Sequence, residues 1–380
     1  MNLRERYAYI NVLRKQYRKA SKINRSKILD ELIKNTGYCR DYGALLLRTN
    51  AQLKKNRKRN KPSPYFKIIK PLKELWVISN FLCSKRLHPF IPELIRILEE
   101  KNEMKLTGEQ RELLSKVSRS TVDRLLSPIK KEIFGRGKST TRPGTLLKHK
   151  IPVHTFADWN DEAPGFLEMD VVAHCGDRLI GEYISSLDAV DIATYWVEIC
   201  SFMGRSQRFV TDSLDEIRVR LPFPLLGIDC DNDTLFINAH LLRYCQDNSL
   251  TFTRSRAYKK NDNPYVEQKN WSIVRKFFGY WRYDTCEQLE IMNKINAKLS
   301  LYNNFFQPVM KLKEKIRVGS KVKRIYDEPR TPFARVLERK EISEDKKQKL
   351  KSIYVTLNPK QLLKEINDLI NLLLKTLARK

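Results

Sequence analysis

Between residues 165 and 290 the chain carries three consecutive strand patterns, after which helical and strand patterns alternate. The three strand patterns are Phe166–Val172, Tyr183–Leu187 and Tyr195–Phe202, all rich in apolar, aromatic and β-branched residues. They are followed by a helix over 206–220, a short strand over 225–228, a helix over 237–246, a strand over 250–252 and a helix over 263–280. This order predicts a central mixed sheet with flanking helices.

The first 135 residues have helical patterns instead. Apolar residues at helical spacing cover 27–33, Gly37 interrupts them, and a second helix runs from Arg40 to Leu47. Helix, glycine-containing turn and helix is the outline of a helix-turn-helix, although any small helical bundle contains such pairs. The fold class expected for the whole chain is multidomain, α then α/β, with helix-turn-helix bundles before the sheet.

A second helical block contains the better candidate for a recognition helix. Its Ser/Thr-rich start at Ser118 caps a helix whose buried face carries Val122 and Leu125. Simple packing within a bundle is the alternative. The residues that this helix leaves for contact with a groove and with phosphates are Arg119, Ser120, Thr121 and Arg124.

These patterns suggest five regions. Residues 1–60 form a helix-turn-helix region, 65–135 form the second helical region, and 136–164 form a basic linker containing Gly and Pro. The sheet region, 165–290, is the candidate catalytic core. Residues 300–380 form a basic C-terminal region that ends in an amphipathic helix over 359–377.

Charge is distributed unevenly along the chain. The 73 Lys and Arg residues against 44 Asp and Glu residues give a formal net charge of +29, so a polyanion is the expected partner. Residues 1–60 hold 17 basic and 4 acidic residues, and residues 311–380 hold 20 and 9. Residues 165–290 reverse the balance, with 14 basic and 19 acidic residues. Basic arms that hold nucleic acid around an acidic, metal-binding middle would explain this distribution; solvated basic tails are the alternative.

Cysteine and apolar content exclude several classes of protein. The seven cysteines are scattered singly without a C-x-x-C pair, so neither a zinc module nor a disulfide framework is expected. No apolar run approaches the roughly 18 residues of a membrane span, and the N-terminal segment lacks a secretory apolar block. We therefore expect a cytoplasmic protein that associates with nucleic acid and not with membranes.

Three carboxylates of the middle region are spaced as a phosphodiester-cleaving site requires. Asp170 lies within the first strand, Asp231 follows the short strand over 225–228, and Glu267 begins the last helix. The 35 residues between Asp231 and Glu267 leave room for one helix and one strand to return a third carboxylate to the same edge. A two-metal site needs such oxygens from separate segments, because they hold two Mg²⁺ ions about 3.5 to 4 Å apart.

Local spacing alone leaves further ligands open. Glu168 shares a strand face with Asp170, and Asp229 and Asp233 share a face with Asp231. Four further candidates have more ordinary interpretations as turn, capping or structural residues: Asp188, Asp191, His174 and His240.

The motifs around these carboxylates are Gly165 to Val172, Leu225 to Asn232, Thr253 to Asn263 and Tyr265 to Asn270. With the helical front end and the run Asn303 to Pro308, they resemble the retroviral-integrase-like catalytic core of bacterial insertion-sequence transposases, over about residues 20–335. The resemblance implies an RNase H-like fold and an Asp, Asp, Glu triad at Asp170, Asp231 and Glu267. It also implies Mg²⁺ or Mn²⁺ as the metal, cutting and joining of DNA ends, and a homo-oligomer assembled on paired ends.

The surroundings of the triad include basic residues and one departure from the family pattern. In the family that the chain resembles, the second Asp is usually followed by Asn-Gly, a small residue and Glu-Phe. After Asp231 this chain instead has Asp233 at the glycine position and Leu235 at the glutamate position. Aspartate tolerates positive φ less well than glycine, and an extra carboxylate would change metal affinity. The candidates for holding backbone phosphates are Arg254, Arg256, Lys259, Lys260 and Lys269.

The sequence therefore predicts a DNA transposase. Its helix-turn-helix regions would bind the terminal repeats of an element, and the triad with two Mg²⁺ ions would free a 3′-hydroxyl that attacks double-stranded target DNA. One alternative is a catalytically inactive derivative that only binds DNA, which the Asp233 and Leu235 departures favour and the intact triad opposes. A metal-dependent nuclease that cuts without joining is a weaker alternative.

Overall fold

The computed structural model describes residues 3–49, 63–134, 163–230, 233, 235–236, 238–254, 266, 269–319 and 321–378. The chain divides into two compact units, Met1–Phe66 and Lys67–Lys380. Within the described ranges, none of the helices combines the length and the apolar composition that crossing a bilayer requires.

The first unit is a bundle of three helices. They are α1 (Leu3–Lys19), α2 (Lys22–Thr36) and α3 (Arg40–Arg48). Leu13, Leu32 and Leu47 contribute to its buried core. Helix α2 ends at Gly37, whose φ of 70° is left-handed and whose N–H donates to the carbonyl oxygen of Ile33. Glycine suits this position because a Cβ disfavours positive φ, and the predicted break between the two helices is confirmed.

The second unit begins with four helices that follow a 3₁₀ turn, Pro64–Ile68. These are α4 (Ile69–Ile78), α5 (Ser84–Glu100), α6 (Gly108–Lys116) and α7 (Arg119–Phe134). Thr107 and Gln110 cap α6 with reciprocal hydrogen bonds. The hydroxyl oxygen of Ser118 accepts the N–H of Thr121, so the predicted cap at the start of α7 is confirmed.

The central sheet has five strands in the order β3-β2-β1-β4-β5. The strands are β1 (Phe166–Ala173), β2 (Ile184–Asp191), β3 (Val197–Met203), β4 (Gly227–Cys230) and β5 (Thr251–Arg254). The first three are antiparallel neighbours, and β4 and β5 run parallel to β1. The predicted mixed sheet is confirmed, and it is consistent with the RNase H-like core that the resemblance implies.

Helices cover both faces of this sheet. Helices α8 (Gln207–Arg220) and α9 (Ala239–Asp247) precede β4 and β5, respectively. Next comes α10, a π-helical segment Asn270–Arg275 that continues as the helical turn Lys276–Phe278, and then α11 (Cys286–Phe306). The side chain of Cys200 in β3 contacts Glu216 of α8, whereas the hydroxyl of the next residue, Ser201, accepts the side-chain amide of Asn296 of α11 at 2.8 Å. Because side chains alternate along a strand, α8 and α11 lie on opposite faces.

Helix α11 also forms hydrogen bonds with backbone groups of β3 at the edge of the sheet. Its Asn304 donates to the carbonyl oxygen of Val197 and accepts the N–H of the same residue, both at 2.8 Å. Asn293 makes the equivalent pair with Ser201 at 2.8 and 2.9 Å. Since β3 is an edge strand, these amides bond backbone groups that would otherwise lack a strand partner.

The C-terminal region is folded onto the same unit. It consists of the hairpin β6 (Leu312–Val318) and β7 (Lys321–Tyr326), and of α12 (Pro332–Glu338), α13 (Glu344–Thr356) and α14 (Pro359–Leu377). Leu362, Ile366 and Leu373 of α14 are buried. Gln288 of α11 donates to the Thr376 hydroxyl at 2.9 Å. The apolar face of the predicted amphipathic helix is therefore used within this unit.

Candidate active site

Four carboxylate side chains lie on one face of the central sheet. Asp170 of β1 lies opposite Asp188 of β2, and Glu168 of β1 lies opposite Asp229 of β4. Because residues two apart on a strand share a face, as do residues paired across strands, all four side chains point to the same side. Three of them are buried, whereas Asp170 is only partly buried.

Asp170 and Glu168 have different surroundings, which separates two candidates that spacing left open. Asp170 accepts the N–H of Val171 at 2.7 Å through Oδ1, and its Oδ2 accepts the side-chain amide of Asn270. Glu168, 1% exposed, accepts the backbone N–H of Val266 at 3.0 Å. The buried glutamate thus holds a backbone segment, while the aspartate keeps accessible surface for a ligand.

Asp231 and Glu267 lie outside the described residues, but their neighbours in the chain are described. Asp231 follows Cys230, the last residue of β4, and β4 is the parallel neighbour of β1. Glu267 follows Val266, which bonds Glu168, and precedes Asn270, which bonds Asp170. The chain on both sides of Glu267 is therefore tied to the strand that carries Asp170.

Asp229 and Asp233, the two carboxylates close to Asp231 in the chain, have structural partners. Asp229 is 3% exposed and accepts the hydroxyl of Thr253 at 2.7 Å. Asp233 accepts the N–H of Leu235 at 2.9 Å and forms an ion pair with Arg205 at 2.8 Å. The aspartate at the family's usual glycine position thus has its carboxylate engaged by a backbone N–H of its own loop and by Arg205.

Asp188 is the site residue that the sequence analysis missed. Instead of a turn or cap, it occupies the middle of β2 and is completely buried, with no hydrogen-bond partner for either carboxylate oxygen among the described residues. Burial raises its pKa to about 8, while the charge of Lys269 lowers it and that of Asp170 raises it. The expectation for Asp191 is confirmed, because its Oδ2 accepts both the N–H and the hydroxyl of Thr194 in a turn.

Lys269 faces this buried carboxyl. Its side chain is 6% exposed, and burial together with the nearby Arg86 charge lowers its pKa to about 8. The attraction of Asp188 acts in the opposite direction. Lys269, predicted to contact a phosphate, is thus a buried side chain whose charge acts on Asp188.

The described donors suit a hard divalent cation. No cluster of three or more His, Cys, Asp or Glu side chains forms a metal site within the described ranges, which exclude two members of the triad. The side chains beside Asp170 on this face, those of Glu168, Asp188 and Asp229, are all carboxylates and offer oxygen. Oxygen donors are those that Mg²⁺ prefers.

His174 has a structural environment, as expected. It is buried, and its Nε2 lies 2.9 Å from the Ser186 hydroxyl, which in turn lies 2.7 Å from that of Ser201. Burial and then the charge of Arg275 lower its pKa to about 3, so the ring is neutral. His240 is exposed on α9.

The predicted DNA contacts fall into three groups. Arg119, Ser120 and Arg124 are exposed on α7, but Thr121 is 9% exposed and its hydroxyl bonds Ser118 and Arg124, so it does not share their exposure. Lys269 is buried. The remaining candidates, Arg256, Lys259, Lys260 and the side chain of Arg254, lie outside the described part of the chain.

Comparison with known proteins gives one extensive match. No family model matches the chain. The "Uncharacterized protein y4rM" of Sinorhizobium fredii (strain NBRC 101917 / NGR234) is 37% identical over 337 residues, which cover 88% of this chain and 96% of that protein. The chain belongs to the y4rM family. The family relationship extends well beyond the five-stranded sheet and its helices.

Solved structures provide a partial alignment. The HTLV-2 integrase catalytic core domain, solved in complex with magnesium in its dimeric form, aligns with 38% of this chain and 90% of its own, at 14% identity and a TM-score of 0.29.

Proposed function

We propose that the protein is a DDE-type polynucleotidyl transferase that acts as a transposase or integrase. It binds the ends of a DNA element, cuts them to free 3′-hydroxyls and joins those ends to target DNA. The observation that carries the proposal is the pair of hydrogen bonds that flank Glu267, from Val266 to Glu168 and from Asn270 to Asp170. They tie the segment containing the third acidic residue to the strand that carries the first.

Three carboxylates would hold the metal: Asp170, Asp231 and Glu267. Asn270 bonds one carboxylate oxygen of Asp170 and so fixes the orientation of this proposed ligand. Glu168 holds the backbone before Glu267 in position. When bound, Mg²⁺, or Mn²⁺ in its place, supplies activation of the attacking oxygen and stabilisation of the leaving oxygen.

Two helical regions would bind DNA. Helices α6 and α7 form the candidate helix-turn-helix in the second unit, with Arg119, Ser120 and Arg124 exposed toward solvent. Helices α2 and α3 form the other candidate pair. The net charge of +29 favours any DNA, so base contacts by these helices would supply the preference for element ends. Assembly as a homo-oligomer on paired ends is part of the proposal.

The test is strand transfer by the purified full-length protein. The substrate is end DNA taken from the sequence that flanks the gene, incubated with target DNA and Mg²⁺. We expect joined products from the native protein and a loss of at least about 100-fold for Asp170→Asn, because even changes behind a metal ligand cost 10- to 100-fold. The control is Asp177→Asn, which makes the same charge change at an exposed position.

Each contrary outcome has a distinct meaning. Binding to the ends without cutting or joining would overturn the enzyme proposal and leave a DNA-binding derivative. Cutting without joining would indicate a nuclease. The ion pair of Asp233 with Arg205 weakens the case for an inactive derivative, because it engages the extra carboxylate with a residue that precedes α8.

A further inference from the structure

A cleft of about 840 Å³ lies next to the candidate active site. One wall comes from α4, α5 and α7, and the other comes from α10 and the end of α11. Trp271 of α10 lines this cleft and directly follows Asn270, the residue that bonds Asp170. The cleft therefore begins at the residue that follows Asn270, whose side chain bonds the Asp170 carboxylate.

Aromatic rings are concentrated on both walls. On one wall Phe81 packs edge-on against Trp76 and against Phe134, with ring centroids 4.9 and 5.0 Å apart. On the other, the Trp271 side chain is 65% exposed, and Tyr326 at the end of β7 is 46% exposed. A tryptophan left this accessible beside a cluster of rings offers a flat surface on which a planar ligand can stack.

Positive charge lines the same space. The described residues that line the cleft include no Asp or Glu, and their cations are Arg86, Lys130, Lys131, Lys269 and Lys276. Burial and then the charge of Arg86 lower the pKa of Lys276. Cations brought together against their mutual repulsion favour the binding of an anion between them.

The backbone of one wall is held in an unusual conformation. Asn80 and Phe81, consecutive and neither of them glycine, have φ values of 54° and 64°. The Asn80 carbonyl oxygen accepts the ammonium of Lys276 at 3.1 Å, and the same ammonium lies 6.0 Å from the centre of the Phe81 ring. Left-handed backbone of this kind costs free energy and is concentrated at ligand sites.

We propose that this cleft, named here the aromatic cleft, binds an unpaired nucleotide of the DNA strand that enters the active site. The base stacks on Trp271, and the phosphate is held by Arg86, Lys130, Lys131 and Lys276. Stacking on aromatic rings next to cations is how proteins bind single-stranded nucleic acid without reading its sequence. The identity of the nucleic acid as DNA rests on the proposed function.

The charge pattern favours this occupant over an acidic peptide. A peptide of Asp and Glu would satisfy the cations but would leave the exposed Trp271 and Tyr326 without a planar partner. A nucleotide carries both a π-face and a phosphate, which matches the two kinds of side chain in the aromatic cleft.

The experiment compares two DNA duplexes of identical sequence, one blunt and one with a short single-stranded dT tail. Fluorescence anisotropy with the full-length protein in EDTA measures binding without catalysis. We expect the native protein to prefer the tailed duplex and Trp271→Ala to lose about 5- to 150-fold of affinity for it, while its affinity for the blunt duplex stays unchanged. Trp271→Phe should retain most of the preference, because a ring is still present.

Two controls separate stacking from charge. Trp281→Ala removes another exposed tryptophan, 58% accessible, that does not line the cleft, and it should keep the native preference. A tail of abasic nucleotides keeps the phosphates but removes the bases. The affinity of the native protein for the duplex with this tail should therefore equal the affinity of Trp271→Ala for the duplex with the dT tail.

Several results would overturn the proposal. These are equal binding of tailed and blunt duplexes by the native protein, an unchanged preference in Trp271→Ala, or displacement of the tail by oligoglutamate as readily as by oligo-dT. The strand-transfer assay stays separate, since it reads Mg²⁺-dependent products. If the protein prefers tailed duplexes but joins no DNA, the transferase proposal is refuted and the nucleotide site is retained. If it joins DNA but shows no preference for tailed duplexes, the nucleotide site is refuted and the transferase proposal is retained.

Discussion

The side-chain amide of Asn270 is a single contact on which the geometry of the candidate site depends. It bonds Asp170 from the first turn of α10, three residues after Glu267. In the proposed function Asn270 is a positioning residue, since it would act on the metal only through Asp170. We expect Asn270→Ala to lower joining about 10- to 100-fold at limiting Mg²⁺, because groups that orient a ligand tune metal affinity by that factor.

The measurement for Asn270→Ala is the Mg²⁺ concentration that gives half-maximal joining. A rise in this concentration, with activity recovering at high Mg²⁺, is the expected signature of a positioning role. Asn367→Ala, at an exposed position of α14, is the matched control. An unchanged Mg²⁺ requirement with lowered activity at every concentration would contradict that role.

His174 gives the stability of the second unit a pH dependence. Its pKa is about 3 in the folded protein, because burial and Arg275 disfavour the cation, and 6.5 is its ordinary value. The unfolded chain therefore binds a proton that the folded chain excludes, so the free energy of unfolding falls as the pH drops below about 6.5. From about pH 7 to pH 5 this contribution amounts to a loss of about 2 kcal/mol.

Tryptophan fluorescence during urea unfolding measures this effect, because all five tryptophans of the sequence lie in the second unit. His174→Gln should remove about 2 kcal/mol from the difference between the two pH values, whatever its effect on stability at pH 7. His240→Gln changes an exposed histidine and should keep the native slope. An unaltered slope in His174→Gln would show that different groups cause the dependence.

At the scale of elements, side chains of α11 supply hydrogen-bond partners to backbone groups of β3, as a neighbouring strand would. Asn304 bonds both backbone groups of Val197, and replacing it by leucine keeps the volume but leaves those groups unpaired. We expect Asn304→Leu to lower the free energy of unfolding of the second unit by about 2 to 4 kcal/mol. Urea unfolding followed by tryptophan fluorescence measures the change.

The control for this prediction lies on the same helix. Lys294→Ala alters an exposed position of α11 and should change the free energy of unfolding by no more than about 0.5 kcal/mol. If Asn304→Leu behaved like Lys294→Ala, water would have to satisfy the edge of β3, and α11 would contribute only apolar packing.

Elements differ in how well the sequence predicts them. The strands β1, β3, β4 and β5 and the helices α8, α9 and α14 follow from local periodicity, with ends within a few residues. The predicted second strand stopped at Leu187, whereas β2 continues to Asp191. Its polar residues have low strand propensity, and pairing with β1 and β3 on both sides overrides that preference.

At the scale of the whole molecule, the two compact units carry different parts of the proposed function. The first unit carries the candidate pair α2 and α3, and the second carries the carboxylates and the candidate pair α6 and α7. Deleting residues 1–62 should reduce discrimination between element ends and scrambled DNA by at least about tenfold, because base contacts by the first unit are lost. Asp170-dependent joining of ends with a preformed 3′-hydroxyl should remain.

Competition binding against scrambled DNA at fixed salt measures this discrimination, since affinity for any DNA varies steeply with salt. Far-UV circular dichroism and tryptophan fluorescence check that the second unit of the shortened protein is folded. If discrimination were fully retained, α6 and α7 alone would read the element ends, and the first unit would have another role.

The sequence by itself determined the helical front, the mixed sheet and the order of the acidic residues, because periodicity and spacing are local properties of the chain. Spacing alone left Glu168 and Asp170 both open, and the resemblance to the transposase family selected Asp170. Only the tertiary structure decided that Glu168 bonds the backbone of Val266 and that Asp188 is buried opposite Asp170. It also decided that the side-chain amide of Asn270 bonds Asp170. Residues 100 positions apart meet at that last bond, and no local pattern encodes a contact that depends on strand register and helix packing.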